Sequence, residues 1–429
     1  MSPQRLAVEL FSKSTRRARF ATIGVLAVAA LGLSACSGGG SGTPTVDADT
    51  IDSSLASSID DAVASAMKQS GSTEAIVGVW GKDGAEYVRG YGSDKISGNS
   101  PIRAAQAAQP VMCALLMDMA GSGKPTLDRE ISKDLTRQVG IDGVTYGELC
   151  TMTSGIADFK ANFTDIFTNN PTRVWPEQEL IAQGLVDSPK ADPDVQPGFR
   201  QSDTNAALLS RVLRVKTGEE TQQLLSDHVF GKAGMGSSYF PDPDDDTLSG
   251  SAMTGLTYPS SGGKPVCDAG VVKVPKVSPS MLAGAGGTVT TVSDLKNFYT
   301  HYFDGTFGGK KMASVTTETI PTKKVEEGKD GQAATPDPNE RMWAFGMEKQ
   351  GPLYGRAGAM TGTLTTAFHD PDSGYTVIVA LNNSSAGAAF VKSLGFEIAA
   401  LSANAGIAPD MTWSVEDQAA ALKKGAICQ

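Results

Sequence analysis

Short β-type runs near both ends of the chain constrain its fold more than any other feature. Near the beginning, Ala75–Trp80 and Glu86–Tyr91 are joined through Lys82-Asp83-Gly84, a turn signal, and this pattern predicts a hairpin. Near the end, residues 364–368 and 375–381 form a second pair of such runs. Because helical patterns and loops fill the chain between them, both halves of the chain must complete one sheet. We therefore predict an α+β fold class.

Helical patterns surround and separate the strands. Apolar residues spaced four apart from Ile51 to Met67 predict a helix with one buried stripe. Further helical runs occur at 111–119 and 206–215, and a last amphipathic helix is predicted at 386–403. The predicted units are a sheet domain of residues 51–110 and 285–404, an inserted helical domain of residues 111–284, and a C-terminal extension of residues 405–429.

The N-terminal segment has the order of features of a bacterial lipoprotein signal. Five basic residues precede an apolar run at 21–33, which is short for a membrane span. The run ends in Leu33-Ser34-Ala35-Cys36, which resembles the lipobox, where the signal is cut before a cysteine that carries the lipid. We predict a signal peptide at 1–35, a lipid on Cys36, a flexible Gly/Ser-rich tether at 36–50, and localisation on the extracytoplasmic face of the cell membrane. The alternative is an ordinary signal peptide with an incidental cysteine.

The charge balance excludes one class of partner. The whole chain carries a net charge of −10, and removal of residues 1–35 takes away five positive charges together with Glu9, so the mature chain is more acidic still. Such a protein is repelled by nucleic acid and by anionic lipid. We therefore expect no nucleic-acid partner, and membrane contact only through the lipid on Cys36.

The remaining cysteines indicate disulfides rather than a metal site. Their number is even in a chain that is predicted to be exported, which favours two disulfides. No CxxC pair occurs, and the three histidines lie far apart in the sequence with no cysteine beside them, so we predict neither a metal nor a cofactor. The four are Cys113, Cys150, Cys267 and Cys428.

Six segments occur in an order that is typical of one superfamily. They are "IRAAQAAQPVMCALLMDMAGSGKPTLD", "VTYGELCTMTSGIADF", "PGFRQSDTNAALLSRVL", "AGAGGTVTTVSDLKNF", "MWAFGMEKQGPLYGRAG" and "FHDPDSGYTVIVALNN". With the hairpin before them, they resemble the penicillin-binding protein and β-lactamase superfamily, specifically its class C β-lactamase and D-alanyl-D-alanine carboxypeptidase-like branch, over residues 50–403. The resemblance implies a β-lactamase/DD-peptidase-like fold, in which helices flank an antiparallel sheet and a helical domain is inserted.

The first family motif has lost its chemistry in this chain. In the family, Ser-x-x-Lys at the start of a central helix supplies a nucleophile and its base, and the matching residues here are Gln106 and Gln109. An amide has no titratable proton near neutral pH, so neither glutamine can serve as nucleophile or base. Pro110 is a further departure, because proline biases Gln109 away from helical geometry and delays the start of the helix.

The other two motifs have changed to different degrees. Gln201-Ser202-Asp203 stands in place of Tyr-x-Asn, whose tyrosine assists proton transfer in the family. Arg356-Ala357-Gly358 stands in place of the Lys-Thr-Gly or His-x-Gly strand that holds the substrate carboxylate, and it keeps a cation and the glycine. The resemblance thus implies degenerate catalytic positions beside a surviving binding element.

The resemblance also implies a disulfide pairing. Cys113 lies in the central helix, and Cys150 lies in the helix of "YGELCTMTSG", which packs beside the central helix in the related fold. We therefore predict a Cys113–Cys150 bridge. Cys267 is then left to pair with Cys428 and to fasten the C-terminal extension.

These observations predict a pseudoenzyme that binds a peptidoglycan peptide or a cell-envelope protein in the old cleft without cleaving it. Two amides offer donors and acceptors to a peptide backbone, and an arginine pairs bidentately with a carboxylate. We predict no catalytic residue, and regard Gln106, Gln109, Gln201 and Asp203 as degenerate catalytic positions. The predicted ligand-binding residues are Gln106, Gln109, Ser202, Arg356 and Gly358.

Two alternatives stay open. In the first, the protein is an active serine hydrolase, similar to a β-lactamase, carboxypeptidase or esterase, that uses unrecognised residues. Ser202 with Asp203 beside it is then the candidate nucleophile, although no histidine or lysine is evidently paired with it. In the second, Gln106 and Gln109 satisfy each other and the helix N-terminus and so plug the cleft.

Overall fold

The computed structural model describes residues 45–186, 198–323, 337 and 339–429. The predicted signal peptide and the predicted lipid site Cys36 lie outside the described residues. The predicted tether at 36–50 ends earlier than expected, because Thr45–Asp49 form a β-strand. The strand pairs antiparallel with Glu86–Tyr91 of the hairpin, so its backbone groups find partners at the edge of the sheet.

Most strands of the described residues join one sheet, and the remaining ones form short two-stranded pairs. In chain order the strands are β1 (Thr45–Asp49), β2 (Ala75–Trp80), β3 (Glu86–Tyr91), β4 (Ile102–Arg103), β5 (Gly255–Thr257), β6 (Ser260–Ser261), β7 (Lys264–Pro265), β8 (Val272–Val274), β9 (Val289–Thr290), β10 (Ile320–Pro321), β11 (Met342–Trp343), β12 (Glu348–Gln350), β13 (Leu353–Met360), β14 (Thr363–His369) and β15 (Thr376–Leu381).

The large sheet is built from both ends of the chain. Its strand order in the described residues is β1-β3-β2-β15-β14-β13-β12-β11-β10, and neighbouring strands run antiparallel. The junction between the two ends is the pairing of β2 with β15, in which Val77 lies opposite Val379. The predicted α+β fold class, with one sheet completed by both halves of the chain, is confirmed.

Helices cover both faces of this sheet. In chain order the described α-helices are α1 (Ser53–Ser70), α2 (Pro110–Gly121), α3 (Tyr146–Thr151), α4 (Thr164–Asn169), α5 (Glu177–Val186), α6 (Asp203–Thr217), α7 (Thr221–Leu225), α8 (Val292–Phe303), α9 (Lys310–Thr316), α10 (Ala388–Asn404) and α11 (Val415–Lys424). None of these helices is both long and apolar enough to cross a membrane.

Alternate side chains of the central strands lie in two separate hydrophobic cores, one on each face of the sheet. In β15 every residue is buried. Ile378 and Ala380 belong to the core that includes α2, α6 and α8, whereas Val377 and Val379 belong to the core of α1, α10 and α11. Successive side chains of a strand point to opposite faces, so a strand that is apolar throughout requires helices on both sides.

The C-terminal extension is part of the second core. Leu422 of α11 is buried there, and α11 packs against α10 and α1. The extension is also held covalently, because a Cys267–Cys428 disulfide joins its last turn to the loop after β7. The second bridge, Cys113–Cys150, joins α2 to α3. Both predicted pairings are confirmed.

Pro110 led to two predictions, a late start of α2 and a non-helical Gln109, and the structure agrees only with the first. The α-helix does begin late, at Pro110, after a 3₁₀ turn at Ala105–Ala108. Gln109, however, has helical dihedral angles, φ −57° and ψ −35°. The contacts of its side chain, described below, outweigh the steric bias that proline imposes on the preceding residue.

Candidate active site

Gln106 directly follows a strained residue in the 3₁₀ turn Ala105–Ala108 and contacts the sheet. Ala105, directly before it, has φ +46°, a left-handed conformation that costs about 1–2 kcal/mol for a residue with a Cβ. The Gln106 side chain is 3% exposed. Its Nε2 donates to Asp203 Oδ2 at 2.6 Å, and its Oε1 accepts the backbone N–H of Ala359 in β13 at 3.0 Å. Both ends of the amide are therefore occupied.

Gln109 is held by the same carboxylate. Its Nε2 donates to Asp203 Oδ1 at 3.0 Å, and its Oε1 accepts a hydrogen bond from the Arg356 guanidinium. Each glutamine thus uses one oxygen of Asp203. The plugged-cleft alternative supposed that the two amides bond to each other. Instead, both bond to Asp203, and each accepts a hydrogen bond from a residue of β13.

Asp203 is a fully buried anion at the start of α6. Besides the two amides, it contacts Lys160 Nζ at 2.7 Å. Burial alone raises the pKa of a carboxyl, but the positive charges of Lys160 and Arg356 outweigh it and hold the pKa of Asp203 below its usual value. The carboxylate therefore stays ionised near neutral pH.

Lys160 and Asp158 belong to the site although the sequence gave no reason to select them. Lys160 lies in a 3₁₀ turn at Phe159–Asn162, and Asp158 caps that turn by accepting the Lys160 backbone N–H at 3.0 Å. The two side chains form an ion pair at 3.7 Å. Burial lowers the pKa of Lys160, but Asp203 and Asp158 outweigh it and raise the pKa. For Asp158, burial and the charge of Asp203 raise the pKa.

No sequence signal identifies this pair. Lys160 and Asp203 are 43 positions apart, and a lysine shortly after "SGIAD" fits a solvated loop as well as a buried ion pair. The family motifs select Asp203 but give no help with Lys160 or Asp158, because these two stand at no motif position quoted for the superfamily.

Gln201 and Ser202 take different places. Gln201 lines the cleft, where its Oε1 is 3.5 Å from Arg341 Nη1. Ser202 is fully buried, and its hydroxyl donates to the backbone carbonyl of Ala157 at 2.8 Å. The expectation that Ser202 contacts a ligand is therefore corrected, and the same position argues against it as a relocated nucleophile. Its side chain points into the protein because Asp203, the next residue, faces the site.

Arg356 is buried, and its guanidinium contacts other side chains of the protein. It is 2% exposed, its guanidinium lies 4.8 Å from the centre of the Trp343 ring, and it donates to Gln109. Burial lowers its pKa. Gly358 explains how β13 comes so near to Gln106, since a Cβ there would lie 2.2 Å from the Gln106 backbone nitrogen. A side chain at 358 would push the two segments apart.

A cleft of about 370 Å³ remains open above these groups. Its lining includes the apolar side chains of Phe167 and Met281 and a set of hydroxyl-bearing residues, here called the rim. Lys160 is the accessible cation of the cleft, with 28% of its side chain exposed. The rim residues are Thr257, Tyr258, Ser260, Ser384 and Ser385.

The hydroxyls of the rim are bonded to a carboxylate and to backbone groups. Ser260 donates to Asp165 at 2.6 Å, Ser385 accepts the Tyr258 backbone N–H at 2.8 Å, and Ser384 accepts that of Gly362 at 3.0 Å. Among the described residues that line the cleft, no hydroxyl is hydrogen-bonded to the side chain of a lysine or histidine. The described part of the chain also holds no cluster of three or more His, Cys, Asp and Glu suited to a metal. The rim therefore offers hydrogen-bond donors and acceptors to a ligand.

Solved structures share this architecture. A D-stereospecific amidohydrolase from Streptomyces sp. has a TM-score of 0.63 at 20% identity, over 76% of this chain and 94% of its own. A D-amino acid amidase from Ochrobactrum anthropi SV3, complexed with D-phenylalanine, has a TM-score of 0.60 at 19% identity, over 76% and 92%. An octameric penicillin-binding protein homologue from Pyrococcus abyssi has a TM-score of 0.63 at 17% identity, over 82% and 78%. At these identities the likeness establishes the fold.

The sequence itself establishes the family. No curated protein matches the chain. The family model described as Beta-lactamase matches residues 59–399, which is most of the 429-residue chain. The superfamily resemblance drawn from the six ordered segments is thereby confirmed, and the chain belongs to the beta-lactamase family.

Proposed function

We propose that this protein is a pseudoenzyme, an exported, lipid-anchored member of its family that binds a cell-envelope peptide or protein in the cleft without cleaving it. The observation that carries the proposal is the occupation of the reacting position by Gln106. Its amide stands where the family has the nucleophile, and its Oε1 takes the Ala359 N–H at 3.0 Å. A backbone N–H beside a nucleophile serves catalysis when it is free to bind a developing oxyanion. Here it is bound within the protein.

The cleft itself supports binding. β12 pairs with β13 only as far as Gly355, so the outer edge of β13 faces the cleft beyond that point. Because the Ala359 N–H points outward and backbone directions alternate along an antiparallel strand, the Ala357 N–H also points outward. An extended peptide can pair with this edge and place side chains among the hydroxyls of the rim.

The class of ligand follows from two observations. Two solved structures with this fold are a D-stereospecific amidohydrolase and a D-amino acid amidase complexed with D-phenylalanine, and we extend that class here to D-residue-containing peptides of the cell wall. Lys160 is the charged group through which a ligand carboxylate is held, since Arg356 is buried and already bonded to Gln109. This changes the role that the sequence suggested for Arg356.

Binding and turnover are tested separately. Calorimetric titration with cell-wall stem peptides measures binding, and a chromogenic cephalosporin and a D-amino acid p-nitroanilide measure turnover. We expect binding to at least one stem peptide and no turnover above the buffer rate. Turnover would favour the active-hydrolase alternative, whereas the absence of any binding by stem peptides or envelope extract would mean that the cleft is not used.

A matched pair of variants assigns the binding to the cleft. Ala388 lines the cleft at the first turn of α10, and its neighbour Ala389 is exposed and does not line it. We expect Ala388→Trp to abolish binding by filling the cleft and Ala389→Trp to leave it unchanged. Equal effects of the two would place the ligand elsewhere.

The location is tested through Cys36. We expect Cys36→Ser to abolish lipid labelling and to release the protein from the membrane fraction. An unlipidated protein that stays in the membrane fraction in both forms would show that the signal segment itself is the anchor.

A further inference from the structure

Segments that are far apart in the sequence meet at one end of the large sheet. The side chain of Asn383, just after β15, donates to the carbonyl of Gly71, just after α1, at 3.1 Å. The backbone N–H of Tyr258, just after β5, donates to Ser385 at 2.8 Å. The last turn of α1 and the loop that begins after β5 therefore lie near each other at this end.

The segment that follows α11 joins them. The Cys267–Cys428 disulfide links this segment to the loop after β7. The Ile427 backbone N–H also donates to the Gln69 carbonyl, in the last turn of α1, at 3.0 Å. These contacts hold three segments together as one part of the protein, here called the end surface, which consists of residues 67–71, 258–274 and 421–429.

The end surface is rich in lysine. Lys68 lies in the last turn of α1, and Lys423 and Lys424 lie in the last turn of α11. Lysine is favoured there because its charge complements the helix dipole, but Lys264 in β7 and Lys273 in β8 have no such reason. All five residues are exposed, and none of them forms an ion pair with the described residues.

Acidic side chains are scarce on the end surface, although the whole chain has a net charge of −10. Asp268 is the one acidic residue within its three segments. On the neighbouring α4, Asp165 accepts hydrogen bonds from the Ser260 hydroxyl at 2.6 Å and from the Gly263 N–H at 2.9 Å. The lysines therefore give this end of an acidic protein a local positive charge, which attracts anionic groups.

The loop between the two strand lysines also exposes apolar side chains. Val266, Val271 and Val272 are 37%, 48% and 41% exposed. Exposed apolar side chains among lysines are typical of surfaces that lie in the headgroup region of a membrane, where the apolar groups reach the acyl boundary and the ammonium groups contact lipid phosphates. A soluble anion would use the lysines but not the valines.

The first strand begins at the same end of the sheet. Thr45 of β1 pairs with Gly90, and the next residue of β3, Tyr91, pairs with Ala75 at the start of β2, shortly after the end of α1. Cys36 precedes Thr45 by nine positions, a length of chain that reaches at most about 30 Å. A lipid on Cys36 therefore keeps this end of the sheet close to the membrane surface.

We propose that the end surface docks on the anionic headgroups of the membrane, with its lysines against lipid phosphates and its three exposed valines at the acyl boundary. The sequence alone predicts membrane contact only through the lipid on Cys36, and this contact is added to it and orients the domain. Because the anchor keeps the end surface at a high local concentration near the lipids, a weak contact suffices. The proposal rests on the lipid anchor of the proposed function.

The test uses the protein without its lipid, so that docking and lipid anchoring can fail separately. Residues 41–429 form one compact unit, and the chain from Ser37 onward contains all of it. Sedimentation with vesicles of phosphatidylglycerol and phosphatidylcholine in equal parts measures binding. We expect saturable binding that weakens as the salt concentration rises, and that is at least about ten-fold weaker with phosphatidylcholine alone.

A matched pair of double variants locates the contact. Lys423→Gln with Lys424→Gln removes two charges from the end surface. Lys310→Gln with Lys311→Gln removes the same charge from α9, which packs against α2 and α8 in the core on the other face of the sheet. We expect the first variant to bind the anionic vesicles at least about five-fold more weakly and the second to bind them as the wild type does.

Two further variants complete the experiment. Lys264→Gln with Lys273→Gln repeats the test within the loop, with the same expectation, in case the α11 variant does not fold. Val271→Ser with Val272→Ser should weaken binding to vesicles and leave binding to soluble polyphosphate unchanged. The proposal is overturned if the wild type binds both kinds of vesicle equally or neither, if the lysine variants of the end surface bind like the α9 variant, or if the valine variant binds vesicles like the wild type.

Discussion

The floor and the rim of the cleft have opposite characters. On the floor, Gln106, Gln109, Asp203 and Arg356 are each at most 3% exposed and are bonded to one another. On the rim, Tyr258, Ser260, Ser384 and Ser385 are half-buried and line open space. The residues at the motif positions of the family are buried and bonded within the protein, whereas the hydroxyl-bearing rim is accessible. The two parts of one cleft thus differ in whether a ligand can reach them.

The largest expected effect comes from the charge at the centre of the floor. Asp203→Asn keeps the shape of the side chain but leaves Lys160 and Arg356 without their buried counter-charge. It also replaces one of the two carboxylate oxygens, which accept hydrogen bonds from Gln106 and Gln109, with an NH₂ group that can only donate. Breaking a buried ion pair in this way costs about 3–5 kcal/mol. Chemical denaturation at neutral pH measures the loss in the free energy of unfolding.

Asp158→Asn is the matched control for that prediction. Asp158 belongs to the same charge cluster, but 24% of its side chain is exposed and its ion pair with Lys160 is longer, at 3.7 Å. Asparagine is as good a helix cap as aspartate, so we expect a change below about 1 kcal/mol. Equal losses for the two variants would contradict the view that the floor depends on Asp203.

The next largest expected effect is the loss of unfolding free energy when a disulfide is removed, and it can be measured for one bridge beside the floor and for another beside the rim. Cys113–Cys150 fastens α2 behind the floor, and Cys267–Cys428 fastens the loop that follows the rim hairpin β6–β7. Replacing either pair with serine should cost about 2–4 kcal/mol. The sequence separations are 37 and 161 residues, so chain entropy predicts a loss about 1 kcal/mol greater for the second pair. Urea unfolding of the two double variants measures this order.

Amide hydrogen exchange shows which segments open more readily when a disulfide is removed. We expect removal of Cys267–Cys428 to accelerate amide exchange in β6 and β7 and to leave the amides around Gln106 protected. Faster exchange at the floor in that variant would mean that floor and rim unfold as one unit.

The pH dependence of stability should differ in sign between the two aspartates. The pKa of Asp203 is lowered, so the native state binds fewer protons than the unfolded state, and its contribution is present above the unfolded pKa of about 3.9 and is lost as the pH falls. The pKa of Asp158 is raised, so its contribution decreases as the pH rises from that value through the folded pKa. Asp203→Asn should therefore flatten the acid limb of the stability curve, and Asp158→Asn should steepen it. Changes of the same sign in both variants would contradict the assigned charges.

Different parts of the molecule were predictable for different reasons. The hairpin β2–β3 and the strands β14 and β15 were predicted from their local sequences, because a short run of β-forming residues on each side of a turn signal predicts two paired strands. The meeting of Gln106, Gln109, Asp203 and Arg356 follows from the order of the family segments. Lys160 was missed because its ion pair with the distant Asp203 has no period or spacing in the sequence, and Asp158 was missed with it because it joins the site through Lys160. Ser202 was placed in the cleft wrongly, because a motif gives a position in the chain but not the direction of a side chain.

The smallest expected effect tests most directly the proposal that the floor does not catalyse a reaction. Replacing Gln106→Ser and Gln109→Lys together returns the nucleophile and base of the family motif, yet we expect no turnover of a chromogenic cephalosporin above the wild-type rate. The new ammonium at 109 would touch Asp203 and lie beside Arg356, and the buried carboxylate would keep it protonated and unable to act as a base. Gln201, in place of the tyrosine, provides no path for the proton. Loss of the nucleophile in a serine hydrolase costs about a million-fold in rate, and a nucleophile without an aligned base recovers little of it.

Fluorescent penicillin labelling that survives denaturation reports on acylation alone, and it distinguishes a missing base from a blocked cleft. If the double variant stays unlabelled but the triple variant with Gln201→Tyr is labelled, the cleft admits the substrate and the floor lacks only its proton path. If the double variant is labelled and turns over, Asp203 does not hold the floor in its present form, and the contrast between a closed floor and an open rim no longer stands. We expect the double variant to be unlabelled, because Asp203 belongs to α6 and is itself held by Lys160 at 2.7 Å, so this ion pair remains when the two glutamines are exchanged.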